Sequence, residues 1–462
     1  MIPDPVCRHA TERPRDVALV TPRRSWSWAE LDARVGASAR RLADGPERVA
    51  IQAQTSPELV VFVLACLRAG RTCVPLSTRW PAAQTGAALD RLALDALVTD
   101  EATPAPAGVR IRNLADVARS DAVGEGPAAS IPLDRPWTVV HTSGSTGAPK
   151  AALHTVGNHV WSARGVVDHL GLGPGDRWLL DLPLYHVGGL GVVVRCVLAG
   201  AALVVPDRET PTAEAVERLR PTRASFVATQ LRRLLQSGAD TRSLRAVLLG
   251  GSAIPTDLLD LAAERGVPVA TSYGLTEMTS TVTATAPGAP REELATSGRV
   301  LPHRDLRISA EGEIEVGGPT LFAGYLDGDG LRAPGRWHAT GDLGHLDEQE
   351  RLVITGRRDL QFVSGGENVQ PEAIEAALLA QKGVAEAAVV PVSDAEFGAR
   401  PVAFVRPAGE GPLDPGRLAG ALRQRLPGFM IPVAFVGWAG AGGLKPDRPA
   451  LRAEAERRAA GE

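Results

Sequence analysis

The sequence predicts an α/β protein: a large N-terminal part of layered α/β units, a β-rich stretch, and a small α+β unit at the C-terminal end. Three observations predict this. Strand-like apolar runs alternate with helical patterns to about residue 295, as expected of a largely parallel sheet covered by helices. Short alternating segments follow (LRISA, GEIEVGG, RLVITGRRD) and read as antiparallel strands joined by tight turns. From about residue 360 comes a third texture: a helix opened by Gln370-Pro371-Glu372, strands VAEAAVVPV and PVAFVRP, a helix GRLAGALRQRL, and a glycine-rich end.

The individual elements carry their own signals. RVAIQAQ (48–54) reads as a strand. Ser56 then offers a side-chain cap, Pro57 a residue pre-set for the first helical position and Glu58 an acid for the helix dipole; LVVFVLACLRAG follows and stops at Gly70. Thr210-Pro211 opens AEAVERLR, and ASFVAT (224–229) is a strand. LRAVLLGG (244–251) is a strand running into glycines, Pro255-Thr256-Asp257 opens LLDLAAERG, and VPVATSYG returns as a strand. Residues 101–130, rich in Ala, Gly and Pro, read as a linker without a motif.

Composition excludes several classes. Of 462 residues, 44% are hydrophobic and 22% charged, so the chain is neither disordered, collagen-like nor a small disulfide scaffold. A net charge of −3 gives no basic excess, and nucleic acid is excluded as principal partner. The cysteines Cys7, Cys66, Cys73 and Cys196 lack metal-ligand spacing, and their scarcity points to a reducing cytoplasm. The N-terminus lacks the apolar run of a signal peptide. The most apolar stretch, 182–206, is interrupted by His186, Arg195 and several glycines, so no membrane span is expected. A homo-oligomer is left open. Of the 50 basic residues only Lys150, Lys382 and Lys445 are lysines. A compact, mobile ammonium is not interchangeable with a guanidinium, so each lysine marks a position to locate.

The most informative segment is His141-Thr142-Ser143-Gly144-Ser145-Thr146-Gly147-Ala148-Pro149-Lys150, after the apolar WTVV. Its glycines let backbone N–H groups point at one centre, its hydroxyls add donors and Lys150 adds charge, which is what a loop around phosphate oxygens requires. The Gly and Lys spacing is not that of a Walker A loop, and no Ser or Thr follows Lys150. Composition alone also fits a solvated turn.

TSGSTGAPK resembles the phosphate-loop signature of the adenylate-forming enzymes, which include acyl-CoA synthetases, luciferases and peptide-synthetase adenylation domains. LLGGSAIP (248–255), TSYGLTEMTS (271–280), HATGDLGHLD (338–347), ITGRRDLQFVSGGENVQPEAIE (354–375) and GGLKPDR (442–448) resemble the family's further motifs, in order. Within the family, LPLYHVGGLGVVVRCVLAG, SFVATQLRRLL and the Gly442-Gly443-Leu444-Lys445 ending are most similar to the o-succinylbenzoate–CoA ligases of menaquinone synthesis. The resemblance implies an ATP- and acyl-binding domain over 1–358 and a mobile domain over 359–462. It also implies a two-step reaction, in which an acid forms an acyl-adenylate with release of pyrophosphate and CoA then takes the acyl group. ATP, Mg²⁺ and coenzyme A are the implied cofactors and co-substrate.

The resemblance assigns roles residue by residue. Thr142, Ser143, Gly144, Ser145, Thr146, Gly147 and Lys150 hold the β and γ phosphates. Gly250, Gly251 and Ser252 wall one side of adenine, and Ser272, Tyr273 and Gly274 the other. Thr276 bonds the α-phosphate and Glu277 ligates Mg²⁺. Asp342 and Arg357 take the ribose hydroxyls, Asp359 is the hinge, and Ser364, Gly365 and Gly366 line the CoA channel. Lys445 bridges carboxylate and α-phosphate, while Lys382 matches no motif. His186, Thr229, Gln230 and Arg233 belong to the acyl pocket, with Arg233 or Arg195 for the second carboxylate of o-succinylbenzoate. Another aryl- or acyl-CoA ligase, an adenylation enzyme loading a carrier protein in trans, and a non-catalytic nucleotide-binding protein on the same scaffold are the competing readings.

Overall fold

The structure is a computed structural model and describes residues 1–100, 106, 109–118, 130–142, 149–252, 254–409, 413–438 and 446–459. Among these, two large sheets dominate. The first runs Gly330–Arg332, Gly324–Asp327, Lys150–Thr155, Pro136–Thr142, Thr72–Pro75, Arg48–Gln52, Ala96–Thr99, Arg110–Asn113. The second runs Arg299–Val300, Ser280–Ala284, Val269–Leu275, Ala246–Leu249, Arg223–Phe226, Arg177–Leu179, Ala202–Val204, Val17–Val20, Ser25–Ser27. The centres of both are parallel; the second sheet is antiparallel at both ends, the first only at its Gly330–Arg332 end, since Ala96–Thr99 and Arg110–Asn113 pair parallel.

Helices Pro57–Ala69, Val156–Leu170 and Val187–Ala199 share one apolar cluster with strands of both sheets. Pro57–Ala69 is buried without a break from Leu59 to Leu67, the behaviour of a helix apolar on every side. Its start and stop follow the local signals: Ser56 Oγ accepts from Leu59 N at 3.1 Å, and Gly70 ends it with φ +69. Helices Thr212–Leu219, Ala228–Ser237 and Thr256–Glu264 build a second cluster with the central strands of the second sheet.

The β-rich stretch forms an antiparallel sheet, Asp305–Ile308, Glu313–Gly317, Trp337–Leu346, Leu352–Arg357. Ile314, Val316 and Leu352 join Tyr273, Met278 and Val282 of the second sheet in a common cluster. The C-terminal unit has a small hairpin, Phe362–Ser364 with Glu367–Val369, and a sheet of Val384–Asp394, Gly398–Pro407 and Ala434–Gly437. Helices Pro371–Leu379 and Pro415–Arg423 contribute to one apolar cluster with this sheet, and Arg448–Ala459 to a second. This is the layered α/β, β-rich and α+β order that the sequence predicts.

Several elements differ from expectation: Arg110–Asn113, within the stretch read as a linker, is an edge strand of the first sheet and is followed by the short helix Leu114–Val117. The strand expected over 224–229 is Arg223–Phe226, and Ala228 already starts a helix. The segment Gly324–Asp327 does not join the β-rich sheet that surrounds it in sequence. It pairs with Lys150–Thr155 and places Tyr325 opposite Ala152. No helix among the described residues is long and apolar enough to cross a membrane.

Candidate active site

The stem of the phosphate loop is an antiparallel pair with Thr142 opposite Lys150, Val140 opposite Ala152 and Thr138 opposite His154. Side chains alternate across a strand, so Thr138, Val140, Thr142, Lys150, Ala152, His154 and Tyr325 share one face. Ser143, Gly144, Ser145, Thr146 and Gly147 lie outside the described residues. Lys150 is exposed, with Nζ 5.2 Å from the centroid of the Tyr325 ring.

That face meets the turn carrying Thr276 and Glu277. Strand Val269–Leu275 ends in a single 3₁₀ turn, Thr276–Met278, and the chain reverses into Ser280–Ala284. The reversal needs positive φ at two non-glycine residues, Thr279 (61°) and Ser280 (143°). It also brings backbones so close that a Cβ on Gly274 would lie 2.2 Å from the Ser280 carbonyl oxygen. Such a turn persists only where its surroundings hold it. His154 Nε2 donates to the Thr276 carbonyl at 2.8 Å, Phe322 N donates to the Glu277 carbonyl at 2.8 Å, and Thr279 Oγ1 donates to the Thr320 carbonyl at 2.8 Å. Burial lowers the His154 pKa to about 4, so its ring is a neutral donor. The Glu277 carboxylate accepts from Tyr325 Oη through Oε1 at 2.5 Å. Its second oxygen is left for a cation, and a single carboxylate among phosphates and water suits Mg²⁺.

The nucleoside side begins at Ala246–Leu249, which runs into Gly250, Gly251 and Ser252. A Cβ at Gly250 would fall 2.6 Å from Ser272 Oγ, so the close passage of two strand ends requires glycine there, and Gly251 has φ +83, a backbone conformation that favours glycine. Ser272 Oγ donates to the Leu249 carbonyl at 3.1 Å. Tyr273 is 8% exposed and lies in the apolar cluster with Met278 and Ile314. The open aromatic face expected beside adenine is therefore largely covered. What Tyr273 contributes is its hydroxyl, which donates to Asp342 Oδ2 at 2.6 Å. Burial and the Asp342 carboxylate hold that phenol well above its ordinary pKa, so it stays a donor.

Asp342 stands opposite Arg357 in the β-rich sheet, and Arg357 Nη1 donates to Asp342 Oδ1 at 2.9 Å. The same guanidinium donates through Nε to Asp359 Oδ1 at 2.8 Å. Burial disfavours its charge, but the bonds to Asp359 and the field of Asp342 outweigh burial and raise its pKa. The Arg357 carbonyl accepts from Gln370 Nε2 at 2.9 Å, which ties this strand to the C-terminal unit.

On the acyl side, His186 is exposed and stands before the helix Val187–Ala199. Arg195 lies further along that helix, 1% exposed. Its Nη2 donates to Ser280 Oγ at 3.0 Å and Thr281 Oγ1 at 3.2 Å, its Cζ lies 5.3 Å from the Trp178 centroid, and its buried Nε has no partner. No carboxylate pairs with it among the described residues. Burial lowers its pKa to about 10, still charged near neutrality. Arg304, missed in the sequence, is also buried there, and burial together with the Arg195 charge lowers its pKa to about 9. It donates to the carbonyls of Thr281, Pro302 and Ser162. Two buried cations without an acid are an unbalanced charge that an anionic ligand would neutralise.

The other acyl-pocket candidates sit differently. Gln230 caps its helix by accepting from Val227 N at 3.0 Å and donates to Asp181 Oδ2 at 2.9 Å, so its amide is engaged at both ends. Thr229 and Arg233 are exposed on that helix. Of the two arginines the sequence left open, Arg195 is buried and Arg233 is exposed.

In the C-terminal unit, Gly365 (φ +60) and Gly366 (φ +86) form the turn of the small hairpin after Ser364, which is 1% exposed with an unpartnered Oγ. Lys445 lies outside the described residues. Just beyond it, Arg448 anchors the last helix, with Nη1 2.8 Å from Glu375 Oε1 and donating to the Val389 carbonyl at 2.7 Å. His154, Tyr325 and Arg304 are the site residues that sequence reasoning missed. Only Tyr325 carried a signal, as one of three tyrosines.

Comparison with known proteins agrees with this geometry. Residues 6–326 match the AMP-binding enzyme family and residues 373–438 the AMP-binding enzyme C-terminal domain. The chain is 37% identical over 393 residues to the 2-succinylbenzoate–CoA ligase of Salmonella typhimurium, covering 83% of this chain and 82% of that one. It superimposes with TM-score 0.86 on o-succinylbenzoate CoA synthetase from Bacillus subtilis in complex with the acyl-adenylate intermediate OSB-AMP, at 29% identity and 98% coverage of both chains. The same Bacillus subtilis enzyme in complex with ATP and magnesium ion gives TM-score 0.86 at 30% identity, covering 97% of this chain and 99% of that one. With its large N-terminal domain and small C-terminal domain, the chain belongs to the AMP-binding enzyme family.

Proposed function

We propose that the protein is an ATP-dependent acid–thiol ligase that activates o-succinylbenzoate as its acyl-adenylate and transfers the acyl group to coenzyme A. The observation that carries the choice of acid is Arg195. A buried guanidinium with an unpartnered Nε and, among the described residues, no carboxylate beside it suits a substrate that keeps a second carboxylate after the first has reacted. A Cβ on Gly191, one turn earlier, would sit 3.2 Å from Arg195 Nη2, so glycine leaves room against the guanidinium. The Salmonella and Bacillus relatives act on this acid by name.

The residues divide the work. Thr142, Lys150 and the loop between them hold the triphosphate, and Glu277 with phosphate oxygens holds Mg²⁺, which when bound offsets phosphate charge. Thr276 meets the α-phosphate. Asp342, fixed by Tyr273 and Arg357, takes the ribose hydroxyls, and Gly250, Gly251 and Ser252 form the adenine wall with Ser272. The acid's free carboxylate lies on Arg195, and its other carboxylate attacks the α-phosphorus in line as pyrophosphate leaves. Such chemistry is mostly positioning and charge. Lys445 bridges the two anions in this step. The thiol of CoA then attacks the acyl carbon and AMP departs. A pivot at Asp359, dividing 1–358 from 359–462, brings Ser364, Gly365 and Gly366 to the pantetheine path in place of Lys445. The four free cysteines support a reducing, cytoplasmic setting.

The test is pyrophosphate release and CoA-thioester formation across a panel of acids with Mg-ATP. o-Succinylbenzoate should give the highest kcat/KM, and removing its aromatic carboxylate should lower it by about 10²-fold. Preference for benzoate or a fatty acid would refute the choice of acid, and no turnover with any acid would refute ligase chemistry.

A further inference from the structure

We propose that Tyr325 is a positioning residue for Mg²⁺: its hydroxyl orients the Glu277 carboxylate, and its ring face places the cations that meet the triphosphate. The inference rests on the reading of Glu277 as the metal-holding acid. One short segment holds Glu277 twice. Phe322 N fixes its carbonyl at 2.8 Å, and Tyr325, three residues on, fixes its side chain through Oε1 at 2.5 Å. The Phe322 and Tyr325 rings meet edge to face, with centroids 4.8 Å apart, so the donor is itself held. With Oε1 engaged, Glu277 presents one oxygen outward, the single-oxygen ligation that suits a small, strongly hydrated cation.

Lys150 Nζ lies 5.2 Å and Arg332 Cζ 6.0 Å from the ring centroid, at cation–π range. Arg332 is exposed on the strand Gly330–Arg332, directly opposite Tyr325, and belongs to no motif read in the sequence. One side chain thus sets the metal-holding acid at its tip and two phosphate-seeking cations along its face. The pairing of Gly324–Asp327 with the stem of the phosphate loop makes this possible.

Tyr325→Phe and Tyr325→Leu separate the two contributions, with Glu277→Gln as reference and thermal melting as a check of folding. Tyr325→Phe should raise the Mg²⁺ concentration for half-maximal ATP–pyrophosphate exchange about tenfold, the scale of one charge-assisted hydrogen bond, with the KM for the acid unchanged. Calorimetric titration of ATP with and without Mg²⁺, in the absence of acid, should show the Mg²⁺-linked gain in affinity shrinking by a similar factor. Tyr325→Leu should in addition raise the KM for ATP at saturating Mg²⁺. If Glu277→Gln shifts the Mg²⁺ dependence and Tyr325→Phe does not, Glu277 keeps its role and the proposal is overturned. If Glu277→Gln leaves the Mg²⁺ dependence unchanged, the reading of Glu277 fails and the proposal with it. A lower kcat or melting temperature in Tyr325→Phe with unaltered Mg²⁺ linkage would show an ordinary structural contact and also overturn it.

Discussion

Arg195 and His154 are both buried and polar, yet they predict opposite behaviour. Arg195 keeps its charge without an acid partner, so its contribution should surface when substrate binds. Arg195→Gln is expected to raise the KM for o-succinylbenzoate by about 10- to 100-fold, the range of a lost charged hydrogen bond, while the KM for ATP stays within about twofold. Steady-state kinetics with each substrate varied in turn would check this. His154 instead is neutral, with its pKa lowered by burial to about 4. An unfolded histidine titrates near 6.5, so between that value and about 4 the unfolded chain binds the extra proton and stability falls with pH. Above about pH 6.5 this group adds no pH dependence; at pH 4 the loss is on the order of 3 kcal/mol. Melting temperatures from pH 8 to 4 should show the decline beginning below about 6.5, and His154→Gln should make it shallower, the rest coming from His9, His141 and His159, whose pKa values burial also lowers.

At the scale of elements, the turn after Val269–Leu275 joins sheet to chemistry. Its hairpin tolerates no side chain at Gly274, where a Cβ would meet the Ser280 carbonyl at 2.2 Å. Gly274→Ala should therefore cost several kcal/mol or force the turn open, with pyrophosphate exchange falling at least 10²-fold; chemical denaturation and exchange assays would separate the two. Much of this was legible beforehand. The cap at Ser56, the stop at Gly70 and the glycines after Ala246–Leu249 are local signals, and local signals survive in a single sequence. The partner of Gly324–Asp327 was not legible, because strand pairing between residues far apart leaves no local mark. For the same reason Tyr325, His154 and Arg304 went unread: each acts through a contact more than 20 residues away. The burial of Tyr273 was not legible, because it depends on packing partners in the β-rich sheet that its own motif does not contain. Arg195 and Arg233 look alike in sequence, and only helix packing distinguishes them.

At the scale of the molecule, the two half-reactions ask for different groups at one site. Lys445→Ala is expected to abolish adenylate formation, by 10²-fold or more, while thiolysis of supplied acyl-adenylate retains most of its rate. Separate single-turnover assays of each half-reaction would check this, and equal loss in both would contradict the pivot at Asp359. Arg448, clamped on Glu375 and Val389, links the segment after Lys445 to the body of the C-terminal unit.

Arg357 stands between two acids, one on either side of the proposed pivot, and bonds both at 2.8–2.9 Å. Of the bonds Arg357 makes, turning the small lobe away can sacrifice those to Asp359 and Gln370 but not the one to Asp342, because Tyr273, Asp342 and Arg357 all precede the swivel in the chain. The sugar-gripping trio would then ride through the swing undisturbed, and a reactive, water-sensitive mixed anhydride would stay moored by its nucleoside while the machinery around its other end is exchanged.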